Sequence, residues 1–385
     1  MSLGKFLYYV NLKRLNLLVV FMLCLKTDSI YGQEGQIISL TIGDTAPPLR
    51  IKEWIKGTPI TGFEKGNTYV LELWATWCAP CKAAIPHLSA LAGIYKDKVT
   101  VIGIDIFENK TMTIQKIRSF VDSMGNQMDY HVATEEGNSI ETGWYKASGA
   151  QLGGIPNTFV INTEGKLAWI GHPKDLAEVL PKIVNGTWDI KEALDKRNSD
   201  RYLRALDDSL NYELMQYREN DFKKDYRGKP ELALRAIDEM VRKEPRLKYA
   251  PFMAYNTFTS LLKTNQHKAY EYGKAVLVTS TYEDPADFVI YGAIHFFSDR
   301  FKLSKEICEL GAEAHQLHLD RFPYPELNDL PKHYSKMAEL YWRANDKLKA
   351  IEAQQKAIEA LKSEKKLSNS EMETFISQLR KYEKM

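Results

Sequence analysis

Two cysteines separated by two residues, where an apolar run meets a helical pattern, constrain this fold more than any other feature. The segment Trp77–Lys82 (WCAPCK) follows the apolar run Tyr69–Leu73, and apolar side chains then recur at helical spacing over Pro80–Tyr95. The sequence therefore predicts a buried strand that leads into a helix. Cys78 is expected at the helix N-terminus, with Cys81 one turn further along.

This placement suits the chemistry of disulfide exchange. Backbone N–H groups and the helix dipole favour negative charge at a helix N-terminus, so the Cys78 thiolate should be stabilised and act as the nucleophile. Cys81 should then attack the mixed disulfide and release the reduced partner. Zinc is the alternative for such a pair, but structural zinc wants four ligands, and the four cysteines and eight histidines show no second ligand pair. We expect no metal and no cofactor.

The segment around these cysteines is predicted to be one α/β domain, residues 44–187. Its sequence pattern indicates alternating buried strands and amphipathic helices. A hairpin signal at 162–166 joins the last two strands. The predicted strands are Tyr69–Leu73, Val99–Ile106, Thr158–Ile161 and Leu167–Ile170, and the predicted helices are Pro80–Tyr95, Thr111–Met124 and Asp175–Val184.

The second half, residues 201–385, is predicted to be an all-α domain after a charged linker at 188–200. Ala338, Tyr341, Ala350 and Ala357 have the spacing of a tetratricopeptide (TPR) repeat, in which small residues let two antiparallel helices approach closely. Weaker copies place anchors at positions 233, 269 and 304, with an insertion near 322–325. An irregular helical bundle is the alternative interpretation.

Residues 1–32 have the pattern of an export signal: basic residues, a short apolar run and a small residue, Gly32, before the expected cut. This predicts a periplasmic protein with a lead-in segment at 33–43, and an uncleaved membrane anchor is the alternative. Lipid attachment at Cys24 is disfavoured, because bulky Leu23 precedes it. The net charge of +2 gives little support to a nucleic-acid partner.

Three segments resemble the thioredoxin family, in particular exported disulfide reductases of the TlpA/ResA kind. They are GDTAP at 43–47, ELWATWCAPCK at 72–82 and GIPNTFVI at 154–161. The resemblance spans roughly residues 43–187 and implies an α/β thioredoxin fold, a mixed sheet flanked by helices. It also implies a redox-active disulfide between Cys78 and Cys81.

The same resemblance implies roles for residues near the cysteines. Glu72 matches the buried acid that takes the proton from the resolving thiol of Cys81; the alternative is a solvent-facing strand residue. Pro156 matches the family's cis-proline, which exposes the backbone of Ile155 to a substrate strand; the alternative is an ordinary trans proline. The remaining expected substrate-binding residues are Trp77, Ala79 and Pro80.

We therefore expect a thiol–disulfide oxidoreductase, with a protein thiol or disulfide as client and an upstream redox protein as electron donor. The helical half is expected to bind a client or partner. Two alternatives remain open. One is a TPR-like binding scaffold with a secondary redox role. The other is a thiol peroxidase, although Ala75 stands where such a site wants threonine.

Overall fold

The computed structural model describes residues 39–150, 154–218, 228–279, 286–321, 329–362 and 369–384. The predicted export signal, Cys24 and the predicted insertion near 322–325 lie outside these residues, as does most of the lead-in segment. Within the described ranges, no helix combines the length and the hydropathy that crossing a membrane requires.

One six-stranded mixed sheet forms the first half of the chain. Its strands are β1 (Ile51–Lys56), β2 (Thr68–Trp74), β3 (Val99–Asp105), β4 (His131–Glu135), β5 (Asn157–Ile161) and β6 (Leu167–Gly171), in the spatial order β1-β4-β3-β2-β5-β6. Strands β2, β3 and β4 run parallel, and β1, β5 and β6 are antiparallel to their neighbours. This confirms the predicted thioredoxin fold and the hairpin between β5 and β6.

The sequence pattern did not reveal β1 and β4. Strand β1 lies at the edge of the sheet and leaves most of its residues half-exposed, so it lacks a continuous apolar run. Strand β4 is only five residues long and includes a histidine, a threonine and a glutamate. Both strands owe their pairing to the neighbours that the fold supplies.

Helices α1 (Ala79–Ile94), α2 (Ile114–Met124) and α3 (Leu176–Val184) cover one face of the sheet. All of β2 is buried, and its side chains alternate between two hydrophobic clusters. Val70 and Trp74 belong to the cluster under α1, which also contains both cysteines. Tyr69, Leu71 and Leu73 belong to the cluster on the opposite face.

The segment predicted as a charged linker, 188–200, is largely helical, because helix α4 (Ile190–Met215) begins there. The side chain of Asp189 caps the helix by accepting from the backbone N–H groups of Lys191 and Glu192, at 2.8 and 3.0 Å. Ile190, Ala193 and Leu194 pack against the second face of the sheet. Leu206 and other leucines further along α4 pack into the helical half instead. The high charge density of the segment hid this narrow apolar stripe.

The second half of the described chain is all-α, as predicted. Its helices are α5 (Pro230–Lys243), α6 (Pro251–Thr264), α7 (Gln266–Thr279), α8 (Ala286–Ser298), α9 (Lys305–Arg321), α10 (Leu330–Arg343), α11 (Lys347–Lys362) and α12 (Asn369–Lys384). Besides their neighbours in sequence, α4 packs against α6, α6 against α8, and α7 against α9. Contacts of this kind are typical of stacked helical hairpins.

Three of the predicted repeat anchors occupy equivalent positions. Ala233, Ala269 and Ala350 are each the fourth residue of their helix, and each is buried. In α9 the fourth residue is Cys308, also buried, whereas the predicted anchor Ser304 precedes the helix. Ser304 Oγ instead accepts from the backbone N–H three residues further on, at 3.4 Å. The anchor was misplaced because serine and cysteine are both small, and the pattern alone does not separate them.

Candidate active site at the Cys78–Cys81 disulfide

Cys78 and Cys81 form a disulfide across the first turn of α1. Cys78 is the N-cap residue, and its Sγ accepts a hydrogen bond from the backbone N–H of Cys81 at 3.2 Å. Pro80 lies in the first turn, where a missing N–H costs nothing. Both cysteines are buried in this oxidised form. Any thiolate formed at Cys78 therefore lies at the positive end of the helix dipole, beside a ready donor.

Glu72 is the one acid of β2 and is 1% exposed. The alternation of β2 places it with Val70 and Trp74 on the α1 face. Thr158, its register partner on β5, donates a hydrogen bond from Oγ1 to Glu72 Oε2. Burial raises the pKa of Glu72 to about 8, and the Thr158 hydrogen bond partly opposes that rise. The side chain is therefore buried rather than solvent-facing, and it is mostly protonated at pH 7.

The peptide bond between Ile155 and Pro156 is cis. The carbonyl oxygen of Ile155 lies 3.6 Å from Cys78 Sγ, so this turn adjoins the disulfide. Ile155 itself is half-buried and Pro156 is buried. The structure thus places the Ile155 end of this cis peptide bond beside the disulfide.

The three other expected substrate-binding residues differ in exposure. Trp77 is 55% exposed, and its Nε1 donates to the carbonyl oxygen of Phe107 at 3.0 Å, which fixes the indole beside the disulfide. Pro80 is half-buried. Ala79 is buried, so its side chain offers no docking surface in the oxidised protein.

Two acids missed by the sequence analysis lie next to the loop that carries the cysteines. Asp105 ends β3, and its β2 partner in the parallel register is Trp74. Glu108 Oε1 accepts the backbone N–H of Thr76 at 2.6 Å. Burial, followed by the charge of Glu108, raises the pKa of Asp105 to about 9. An acid inside the otherwise apolar run at 99–106 was the signal that could have identified this pair.

Two further titratable side chains differ from the redox pair. Cys308 is fully buried in the helical half, and burial raises the pKa of its thiol to about 11. His87 on α1 is half-buried, and burial lowers its pKa. Among the described residues, no group of three or more His, Cys, Asp or Glu side chains is arranged to hold a metal ion.

A mixed six-stranded sheet with a disulfide at the start of the helix that follows its central strand defines the class: a thioredoxin-fold thiol–disulfide oxidoreductase. Comparison with known proteins agrees with this class. Residues 42–170 match the AhpC/TSA family. Protein FixW of Rhizobium leguminosarum is 32% identical over 171 residues, covering 42% of this chain and 74% of its own length. The chain belongs to this thioredoxin-like family.

Other relatives carry explicit redox names. The thiol:disulfide interchange protein DsbE of Pasteurella multocida is 28% identical over 49% of this chain and 93% of its own. The thiol-disulfide oxidoreductase ResA of Bacillus thuringiensis is 33% identical, but the match covers 27% of this chain and about half (53%) of ResA. Among solved structures, a thiol-disulfide isomerase from Corynebacterium glutamicum is 19% identical, with a TM-score of 0.32, over 37% of this chain and 96% of its own.

Proposed function

We propose that this protein is an exported reductase of client protein disulfides, and that its helical half holds the client. The observation that carries the proposal is the position of Cys78 as N-cap of α1, with its sulfur receiving the Cys81 N–H. Export rests on the signal-like pattern of residues 1–32. Residues 33–385 would then operate outside the cytoplasm, in the periplasm.

The proposed reaction moves two electrons to the client, and the two client thiolates that it releases take their protons from solvent. The Cys78 thiolate attacks one sulfur of the client disulfide, which forms a mixed disulfide and expels the other client sulfur as a thiolate. Cys81 then loses its proton and attacks Cys78 Sγ, which releases the second client sulfur. The products are a client dithiol and the Cys78–Cys81 disulfide. An upstream dithiol protein resets the pair by the reverse exchange.

Glu72 suits the role of proton acceptor for Cys81. The disulfide form described here is the product of client reduction, so the proton taken from Cys81 should reside on the acceptor. A pKa of about 8 means that Glu72 does hold a proton in this form at pH 7. When a donor reduces the disulfide, the same carboxylic acid can return that proton to Cys81. Glu72 thus serves both directions of the exchange.

The proposed client-docking edge consists of Ile155, Pro156, Trp77 and Pro80. The Ile155 carbonyl lies at the attacking sulfur, where it can accept a backbone N–H from an extended client segment. The exposed indole of Trp77 offers apolar surface beside that segment. A client disulfide held by these groups would be aligned with Cys78 Sγ.

A trapped complex tests the function and the role of the helical half together. Cys81→Ser leaves Cys78 free to form a mixed disulfide that is not resolved, and Cys78→Ser is the matched control that should capture nothing. Hydrogen exchange of the trapped complex should show protection at Trp77 and Ile155 and also in helices of the second half. Protection confined to the first half would reject the client-holding role while leaving the reductase proposal intact.

The direction of the reaction is tested by the reduction potential of the Cys78–Cys81 pair in the full chain. A value near about −270 mV is typical of reductants such as thioredoxin, whereas about −120 mV is typical of a strong oxidant. We expect the lower value. A value near the upper one would contradict the assignment as a reductase and identify a thiol oxidant instead.

A further inference from the structure

Two carboxyl groups that the exchange reaction does not use, one buried and one half-buried, lie at the end of β3, beside the active-site loop. Asp105 is 4% exposed, and its register partners in the flanking strands are Trp74 and Thr134. Glu108 follows three residues later, and its carboxyl group is close enough for its charge to raise the pKa of Asp105. The two acids therefore form a close pair inside the protein.

A single proton shared by the two carboxyl groups would satisfy their buried oxygen atoms, which otherwise lack a hydrogen-bond partner. Within the described part of the chain, Asp105 Oδ1 and Glu108 Oε2 are buried and find no donor. Two neighbouring ionised carboxylates would repel each other, whereas a protonated carboxyl group can donate a hydrogen bond to an ionised one. Asp105 is the protonated member, because burial and the charges of Glu108 and Glu135 raise its pKa to about 9.

The surrounding charges do not relieve this repulsion. Glu135, on the neighbouring strand β4, uses its own carboxylate to accept from the N–H groups of Ile140 and Glu141. Lys146, the nearby cation, forms an ion pair with Glu141 at 2.5 Å. The Asp105–Glu108 pair thus depends on its own proton for stability.

The pair is connected directly to the loop that precedes Cys78. Glu108 Oε1 accepts the Thr76 N–H at 2.6 Å, and Phe107 O accepts the Trp77 indole N–H at 3.0 Å. Phe107 adopts a φ of 61°, which is uncommon for a bulky residue and shows that this segment is held in a specific conformation. Residues 106–108 therefore hold the active-site loop in place through these hydrogen bonds.

We propose that Asp105 and Glu108, sharing one proton, are positioning residues that hold Thr76 and thereby orient the Cys78 sulfur, and that loss of this proton in alkaline solution loosens the loop. When Asp105 ionises, Glu108 is pushed away from it and the Thr76 N–H loses its acceptor. Disulfide exchange at Cys78 then slows. The inference concerns the loop itself and does not depend on which client the protein reduces.

The test follows the Thr76 backbone amide by NMR in the oxidised, full-length protein, where neither Cys78 nor Cys81 titrates. Its chemical shift should change with a midpoint near pH 9. Asp105→Asn keeps a donor for Glu108 but has no proton to lose, so the Thr76 titration should disappear. Glu72→Gln removes the other nearby buried acid and should leave the Thr76 titration in place. A Thr76 titration that persists in Asp105→Asn would overturn the proposal.

A kinetic measurement gives an independent result. The rate at which dithiothreitol reduces the disulfide is compared between wild type and Asp105→Asn at each pH, which cancels reagent ionisation and the Glu72 contribution. The wild-type rate divided by the Asp105→Asn rate should fall by about tenfold at pH 10. At that pH about one Asp105–Glu108 pair in eleven keeps its proton, if the midpoint is near pH 9. Glu108→Gln keeps an acceptor for Thr76 without the repulsion, so it should also lack the alkaline loss. A ratio that stays constant with pH in both variants would overturn the proposal.

Discussion

Replacing Glu72 by glutamine should make the oxidised protein more stable and a slower catalyst. The native carboxyl is protonated at pH 7 because burial raises its pKa from 4.5 to about 8, whereas in the unfolded chain it is ionised. Folding at pH 7 therefore costs about 3 kcal/mol for taking up a proton against the solution pH. Glutamine has a similar shape and needs no proton, so Glu72→Gln removes this cost.

The sign of the effect fixes its pH dependence. The folded-state pKa is raised, so the contribution of the Glu72 carboxyl to the stability of the wild type is fully present below pH 4.5. It is lost as the pH rises through about 8. The stability difference between Glu72→Gln and wild type should thus be small near pH 4.5 and grow by about 1.4 kcal/mol for each pH unit until about pH 8.

Urea denaturation of the oxidised proteins at several pH values measures this difference. Stopped-flow reduction by dithiothreitol at pH 7 measures the cost to catalysis, which should be about 100-fold or more, since general acid–base catalysis contributes that much. A stability difference that does not vary with pH would refute the buried, protonated state of Glu72. An unchanged reduction rate would refute its role in proton transfer.

Substitutions at three other residues test different parts of the structure. His315 stacks on Tyr291 at 4.3 Å, and burial lowers its pKa to about 3. Keeping His315 neutral in the folded protein should therefore cost about 2 kcal/mol of stability at pH 5 relative to pH 7, and His315→Gln should reduce that acid loss in urea titrations. Cys308→Ala should leave disulfide reduction unchanged, and Cys308→Ser should lower the unfolding free energy by about 1–3 kcal/mol through an unpaired buried hydroxyl. Trp77→Ala should raise KM for a protein disulfide several-fold with little change for dithiothreitol, and equal effects on both would argue against a docking role.

Features that depend on neighbouring residues could be predicted from the sequence. The strand, the two cysteines and the following helix lie within one segment, 68–94, so residue periodicity and helix-terminus physics were enough to place them. Glu72 was assigned as the buried acid through the motif resemblance, and it lies inside the apolar run that predicted β2. Pro156 was found through a motif resemblance rather than through any pattern in its own segment.

Features that depend on strand register could not be predicted in this way. Glu108 contacts Thr76 across 32 residues, and that contact requires β2 and β3 to pair so that Trp74 lies beside Asp105. A shift of two residues would keep the same hydrophobic faces and break the contact. The start of α4 was missed for a related reason, since its apolar stripe is recognisable only once the sheet face that it covers is known.

The proposed disulfide exchange depends on Cys78 being ionised at the start of α1. Iodoacetamide labelling of reduced Cys81→Ser, with the Cys78 peptide quantified by mass spectrometry, measures this directly between pH 4 and pH 10. We expect half-maximal reactivity clearly below about pH 8.5, the value typical of free cysteine, and a return to that value in the urea-unfolded protein. Half-maximal reactivity near pH 8.5 in the folded protein would contradict the central claim.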